Sequence, residues 1–227
     1  MKDSLGGAGR DLSVRVKTAR KRSTSSTRWL QRQLNDPYVA AARRDGYRSR
    51  AAYKLLEIDA QHHLLRKGAR VLDLGAAPGG WTQVCVERTG AGAVLAIDIN
   101  GMEAVTGARF LQIDFLQPEA PELIRAALGG AVDIVLSDMA SPATGHRMTD
   151  HARIIALCDL AYDFACEVLA PGGSFCAKVL QGGTEAKLLA RMKQMFTRVQ
   201  HVKPKASRAD SKEIYVLATG FKGQHTP

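Results

Sequence analysis

The chain is poor in groups that do covalent or metal chemistry. Its four cysteines, Cys85, Cys158, Cys166 and Cys176, stand singly in apolar stretches with neither CxxC spacing nor paired histidines nearby. That argues against a disulfide framework and a thiolate metal site, and they read as buried thiols of a reducing, cytoplasmic compartment. His62-His63, His146 and His151 lack metal-ligand spacing and have no nucleophile beside them, so no metal is expected. No run approaches a membrane span, and the N-terminus lacks the apolar block of a signal peptide. A transit peptide fits poorly with Asp3, Asp11 and the early glycines. There is no internal repeat and no GxGxxG turn.

What the chain does have is an uneven distribution of charge. Its formal net charge is +10 over 227 residues, and the first fifty hold 13 Lys or Arg against Asp3, Asp11, Asp36 and Asp45. The remaining 177 residues are nearly neutral, so the basicity is local. A polyanion suits such an arm, with affinity that falls steeply with salt; a solvated tail is the other reading. Residues 1–34 are expected as a basic, flexible extension without helical periodicity, and residues 35–227 as one folded domain. A hydrophobic content of 45% is enough to cover a parallel sheet on both faces.

Asn35-Asp36-Pro37 supplies an N-cap and a first-turn proline, and helix is predicted to begin there, with Gly46 interrupting it. A second helix from about Ser49 to His63 groups Ala52, Leu55, Leu56 and Ala60 on one side and Arg50 and Lys54 on another. From Ala69 onward strand and helix alternate. Strands are predicted near 70–74, 93–97, 109–112, 132–137, 173–178, 197–203 and 213–219. Helices are predicted over Thr82–Arg88, Pro121–Leu128, His151–Leu169 and Thr184–Met195. Gly172-Gly173 and Gly182-Gly183 bracket the fifth strand. The pattern is that of an α/β, Rossmann-like fold, a seven-stranded, mostly parallel sheet flanked by helices, with ligands at the carboxyl ends of its strands.

The run Val71-Leu72-Asp73-Leu74-Gly75-Ala76-Ala77-Pro78-Gly79-Gly80-Trp81 ends a strand in a glycine-rich turn where a ligand can press against bare backbone. Asp73 is a poor neighbour for a pyrophosphate and a good one for an ammonium group, which favours S-adenosylmethionine over a dinucleotide. Gly75, Ala76, Pro78, Gly79 and Gly80 line that turn. Trp81 is either a core residue or a cofactor stack. Asp98 closes the next strand, where a carboxylate accepts from ribose hydroxyls. Asp114 follows Phe110-Leu111-Gln112-Ile113 and is placed to accept from an adenine amino group. Both aspartates have a plainer reading as caps.

Four further polar residues, Lys54, Asp138, Lys178 and Glu213, fall on a helix or at strand ends that such a fold brings together. Their chemistry suits methyl transfer to a ribose hydroxyl, a poor nucleophile that must lose its proton as it attacks. The departing sulfur leaves as a neutral thioether, so the step requires no metal. Lys178, at the end of the fifth strand, is the candidate to abstract or orient the proton, with Lys54 and Glu213 positioning it. Asp138 bridges the cofactor's methionine end and the lysines. Arg48 and Arg50 are either a solvated helix face or phosphate clamps. Tyr215 shares a face with Glu213 and either packs in the core or contacts a splayed base.

Arg48-Ser49-Arg50-Ala51-Ala52-Tyr53-Lys54-Leu55, the Asp73–Trp81 turn, Ser137-Asp138-Met139-Ala140, Ala177-Lys178 and Ser211-Lys212-Glu213-Ile214-Tyr215 together resemble the FtsJ/RrmJ (RlmE) family of ribosomal RNA 2'-O-methyltransferases. The resemblance spans roughly residues 35–221. It implies a Lys54-Asp138-Lys178-Glu213 tetrad and a cofactor held by the turn with Asp98, Asp114 and Asp138. It further implies an enzyme that methylates a uridine in the A loop of 23S ribosomal RNA, within the large subunit; a monomer is the default expectation. Transfer RNA as substrate, or a non-catalytic assembly role, are the alternatives.

Overall fold

In a computed structural model, described over Thr18 and residues 23–141, 144–182, 186–208 and 210–223, seven strands form one sheet. The strands are β1 (Val71–Leu74), β2 (Val94–Asp98), β3 (Ala108–Gln112), β4 (Val132–Ser137), β5 (Leu169–Leu180), β6 (Phe196–Val202) and β7 (Glu213–Phe221). The helices are α1 (Thr24–Leu34), α2 (Pro37–Asp45), α3 (Ala51–His62), α4 (Gly80–Thr89), α5 (Ala120–Leu128), α6 (Arg147–Val168) and α7 (Ala186–Met195). The strand order is β3-β2-β1-β4-β5-β7-β6. β7 alone runs against its neighbours, β5 and β6, and the others pair in parallel. The order reverses between β1 and β4, and the crevice beyond their carboxyl ends is where this topology holds ligands.

Alternation along the strands sorts two cores. Leu72, Leu74, Phe175, Ala177, Val179, Val216 and Ala218 face α5, α6 and α7. On the opposite side Val71, Cys176, Tyr215 and Leu217 pack with Leu55 and Ile58 of α3 and with Trp81 and Val84 of α4. Period two then assigns Lys178 and Glu213 to the second face, because each lies two residues from a member of that cluster. The sheet thereby delivers charged side chains towards α3, the helix that carries Lys54. Among the described residues no helix is long and apolar enough to cross a membrane.

Helix begins earlier than the composition indicates. Ser23 caps α1 by accepting from Ser26 N at 3.2 Å, and the side chain of Asn35 donates to Gln31 O at 2.7 Å as the helix ends. The apolar residues of α1, Trp29, Leu30 and Leu34, are confined to its second half, and its Thr- and Ser-rich first turn reads as loop, which is why periodicity missed it. Most of the extension before it lies outside the described residues. β5 starts at Leu169, earlier than predicted, and takes Gly172 and Gly173 into the strand. A side chain at Gly173 would meet Ala170 O at 2.8 Å and Asp133 O at 2.9 Å, so the glycine permits a close strand crossing. Gly183 lies outside the described residues.

Asp36 does more than cap α2. Its Oδ1 accepts from Tyr38 N at 3.0 Å. Its Oδ2 meets Arg50 Nη1 at 2.8 Å and Arg208 Nε at 3.2 Å, and the carboxylate is only 6% exposed. One acid thus joins α2, the start of α3 and the β6–β7 connection. Asp36→Ala should lower the unfolding free energy by about 3 kcal/mol, combining a lost cap with two guanidiniums left without their carboxylate. Urea denaturation monitored by circular dichroism measures this.

Candidate active site

The tetrad residues come together as two ion pairs joined by a tyrosine. Asp138 follows β4, whose Ser137 is paired with Ala177, so its carboxylate lies beside Lys178. Lys178 Nζ donates to Asp138 Oδ1 at 3.0 Å and to Asp138 O at 2.7 Å. Lys54 Nζ, from α3, donates to Glu213 Oε2 at 3.0 Å. Tyr215 lies opposite Lys178 in the β5–β7 ladder. Its hydroxyl donates to Asp138 Oδ1 at 2.9 Å, and Lys54 Nζ sits 5.9 Å from its ring centroid.

These groups differ in their access to solvent. The side chain of Lys178 is 6% exposed and that of Asp138 is 18%, against 35% for Glu213. Burial alone would raise the Asp138 carboxyl, but the charges of Lys178 and Lys54 and the hydrogen bonds from Lys178 and Tyr215 outweigh it and hold the group below its usual range. The site therefore keeps a fixed negative charge beside Lys178.

Asp138 also opens onto a cleft of about 670 Å³ at the carboxyl ends of β1, β2 and β4. Its polar wall includes Asp98, Asn100 and Asp114, and its apolar wall includes Ile97, Phe115 and Leu157. The volume and this mixture of surfaces match a small-molecule site. Asp98 Oδ2 accepts from Ala77 N at 2.9 Å and its Oδ1 from Asn100 N at 2.8 Å, which ties the glycine turn to the end of β2. Asp114 Oδ1 accepts from Leu116 N at 2.9 Å. Both aspartates therefore serve as local caps and still face the cleft. Gly75 has φ +78°, and a Cβ there would meet Met139 N at 2.7 Å. Only glycine allows the turn to lie this close to the segment bearing Asp138.

Of the turn residues, Gly75 lines the cleft together with Ala77, whereas Asp73, Ala76, Pro78, Gly79, Gly80 and Trp81 are not in its wall. Asp73 is fully buried beneath the turn, with Oδ2 accepting from Thr82 Oγ1 at 2.8 Å and Oδ1 without a hydrogen-bond partner among the described residues. Burial pushes its carboxyl up to about 7; the Thr82 bond opposes the shift, and Asp138 and Asp98 add to it. Trp81 is a core residue rather than a cofactor stack. It is 3% exposed, its Nε1 donates to Ala51 O at 2.8 Å, and its ring packs 5.4 Å from that of Tyr215.

The three expected RNA contacts all have partners within the protein. Tyr215 is fully buried and its hydroxyl is engaged by Asp138, so it has no face for a base. Arg48 donates to Glu103 O at 2.6 Å, Ala104 O at 2.7 Å and Pro78 O at 3.3 Å, buckling the glycine turn to the 103–104 segment. Arg50 pairs with Asp36 and donates to Ala206 O. Arg48 is thus held largely by backbone carbonyls, whereas Arg50 also lines a cleft beside Lys54 and keeps an Nε without a hydrogen-bond partner among the described residues. Sequence reasoning missed Asn100, Phe115 and Arg153 in the cleft, as well as Arg32 and Arg208 beside Lys54. Only Asn100 had a signal, its place two residues after Asp98.

The FtsJ-like methyltransferase family matches residues 47–221. A relative from Xanthobacter autotrophicus, named Ribosomal RNA large subunit methyltransferase E, is 60% identical over 96% of this chain and 88% of its own length. A relative of the same name from Parvibaculum lavamentivorans is also 60% identical, over 98% and 93%. A crystal structure from Plasmodium falciparum, described as a ribosomal RNA methyltransferase, superposes with a TM-score of 0.68 at 30% identity, covering 78% of this chain and 100% of its own.

Two outcomes follow from this geometry. Tyr215→Phe should reduce stability by about 1 kcal/mol through the lost bond to Asp138, while leaving affinity for RNA within twofold; denaturation and an RNA titration measure the two effects separately. The second concerns Asp73, whose folded value of about 7 lies above its ordinary 3.8. The folded chain thus keeps a proton that the unfolded chain has lost between those values, and stability from the neutral form is present at low pH and lost as pH rises through about 7. Asp73→Asn should therefore gain stability relative to the parent on going from pH 5.5 to pH 8, by about 2 kcal/mol.

Proposed function

The chain belongs to the FtsJ-like methyltransferase family, and on that premise we propose that it methylates a ribose 2'-hydroxyl of large-subunit ribosomal RNA, namely a uridine of the 23S A loop. The observation that carries the reading is the position of the tetrad between two clefts. Asp138 faces the larger one, and Lys54 and Glu213 face a smaller one beside it. A methyl donor and a nucleotide can thus reach the two linked ion pairs from separate clefts, with Lys178 buried between Asp138 and Tyr215 and in neither wall. All four tetrad residues come from one chain, so a monomer suffices, and the expected place of action is the cytoplasm, where large subunits assemble.

The larger cleft fits S-adenosylmethionine by the chemistry of its walls. Asp98 and Asp114 would accept from ribose hydroxyls and the adenine amino group, Ile97, Phe115 and Leu157 would enclose the purine, and the carboxylate of Asp138 would face the cationic end. Gly75 would let the ligand lie against backbone. When bound, S-adenosylmethionine supplies an electrophilic methyl whose departure leaves a neutral thioether. Lys178 would orient the 2'-hydroxyl as an ammonium or, as the neutral amine, take its proton onto Nζ while the oxygen attacks, with Asp138, 3.0 Å away, stabilising the ammonium that results. Glu213 would hold Lys54 on the nucleotide side, 3.0 Å from its own carboxylate, and keep that lysine directed at the ribose.

The test is transfer of labelled methyl from S-adenosylmethionine to undermodified large subunits, free ribosomal RNA and transfer RNA in parallel. The expected result is label in a ribose of the large-subunit RNA. Lys178→Ala should lower turnover by at least a thousandfold, on the order expected for loss of a positioned base together with its charge, while cofactor affinity stays within several-fold. Label confined to transfer RNA would move the chain to another substrate. Cofactor binding without label in any RNA would favour an assembly role.

A further inference from the structure

The smaller cleft, of about 390 Å³, has a composition that the transfer reaction does not explain. Lys54 and Glu213 form one wall; the others present Arg32 from α1, Arg50, and Arg208 and Asp210 from the β6–β7 connection. Counting Asp36 beneath them, four cations meet three carboxylates, which leaves one positive charge in surplus. The pairing is uneven. Lys54 is matched by Glu213, whereas Arg50 and Arg208 share the single oxygen Asp36 Oδ2 at 2.8 and 3.2 Å. Only the Nε of Arg208 is taken up by Asp36, and its two Nη groups have no hydrogen-bond partner among the described residues. Arg32 is exposed and forms no ion pair among them. Two guanidinium forks with unspent donors beside a surplus charge are a match for a phosphate.

Ribose stereochemistry says which phosphate this is. The 2'-oxygen and the 3'-phosphodiester are borne on adjacent carbons of one ring. A hydroxyl presented to Lys178 therefore brings its 3'-phosphate to the neighbouring surface, where the tetrad gives way to the smaller cleft through Lys54 and Glu213. We propose that this cleft is the seat of the phosphodiester on the 3' side of the target ribose, gripped by Arg208 and Arg32, with Asp36 as the positioning residue that aims Arg208. The inference rests on the ribose-methyltransferase reading given above. It moves the RNA grip away from Arg48 and Arg50 and assigns α1 a direct part in holding substrate. Asp210, of opposite sign on the same wall, opposes the phosphate and weakens the grip.

Steady-state methyl transfer to undermodified large ribosomal subunits, over a range of salt, tests this in the full chain, with S-adenosylmethionine affinity measured separately by calorimetry. Arg32→Ala puts a strong helix former at an exposed position of α1, so the fold is not at risk. It should raise KM for the subunit about three- to tenfold and flatten the slope of log KM against log salt by about 0.7, the share of one single-stranded phosphate. The kcat should stay within twofold and cofactor affinity unchanged. Arg208→Lys, which retains the charge and loses the fork, should also raise KM, whereas Asp210→Asn should lower it. A structural role would not produce effects of opposite sign at two residues of one wall. Wild-type KM and salt slope in both Arg32→Ala and Arg208→Lys would overturn the proposal while leaving the methyltransferase reading intact. A wild-type protein that labels no ribosomal RNA would remove both.

Discussion

The register of the antiparallel β5–β7 pair is the constraint on which the active site depends. It sets Lys178 opposite Tyr215 and Leu180 opposite Glu213, which puts Lys178, Tyr215 and Glu213 on the face that packs against α3. A slip of β7 by one residue would turn Tyr215 and Glu213 towards α6 and α7, present Val216 and Ile214 to α3 instead, and leave Lys178 without them. The apolar partners prevent this. Phe175, Ala177, Val179, Val216 and Ala218 fill the opposite core and are fully buried, so the register that satisfies packing also assembles the charges. Tyr215 joins the two functions because its ring belongs to the apolar cluster and its hydroxyl to Asp138.

Two aspartates, one in β1 and one just beyond β4, show how surroundings divide one side-chain type into two roles. Asp73 and Asp138 both suffer burial. Asp138 has Lys178 and Lys54 nearby and is held below its usual range, whereas Asp73 has only Thr82 and the repulsion of other carboxylates and rises to about 7. A carboxylate so placed is an expensive component of a β-strand, where a β-branched apolar residue would pack without desolvation. Its bond to Thr82 at 2.8 Å fastens the first turn of α4 to β1 across the glycine turn, and that turn borders the larger cleft through Gly75. Asp73 thus supports the turn from beneath, and Asp98 holds it from the side through Ala77.

Much of this was legible in the chain itself, for a physical reason. The seven strands are dense apolar runs with sharp glycine or polar boundaries, so period and punctuation locate them within a few residues, and the tetrad residues are charged side chains at the ends of such runs. Side chains whose meaning depends on distant partners were not legible. Trp81 and Tyr215 look the same in sequence whether they stack on a ligand or on each other; here they pack together at 5.4 Å. Arg48 and Arg50 read as a basic helix face because sequence cannot reveal that backbone carbonyls at 103–104 and 206 receive them. α1 was missed because its first turn is Thr-Ser-Ser-Thr, which reads as loop, and its few apolar residues fall only in its second half.

The fate of those arginines changes the meaning of the basic N-terminal region. Net charge measured along a chain describes the long-range field, which steers a polyanion towards the protein, and does not say which cations touch it. Between α2 and α3 the field and the contacts separate. Arg48 and Arg50 contribute to the field while several of their donors are taken by backbone and by Asp36, and Arg208, more than 150 residues away in sequence, comes to the cleft through the same carboxylate. Asp36 therefore holds together three parts of the chain that the nucleotide side of the site requires: the start of α2, the helix bearing Lys54, and the connection leading to Glu213. A positive surface built on one shared acid presents its charge at defined positions, as recognition of a single ribose within a large folded RNA requires, whereas a flexible basic tail would attract any polyanion equally.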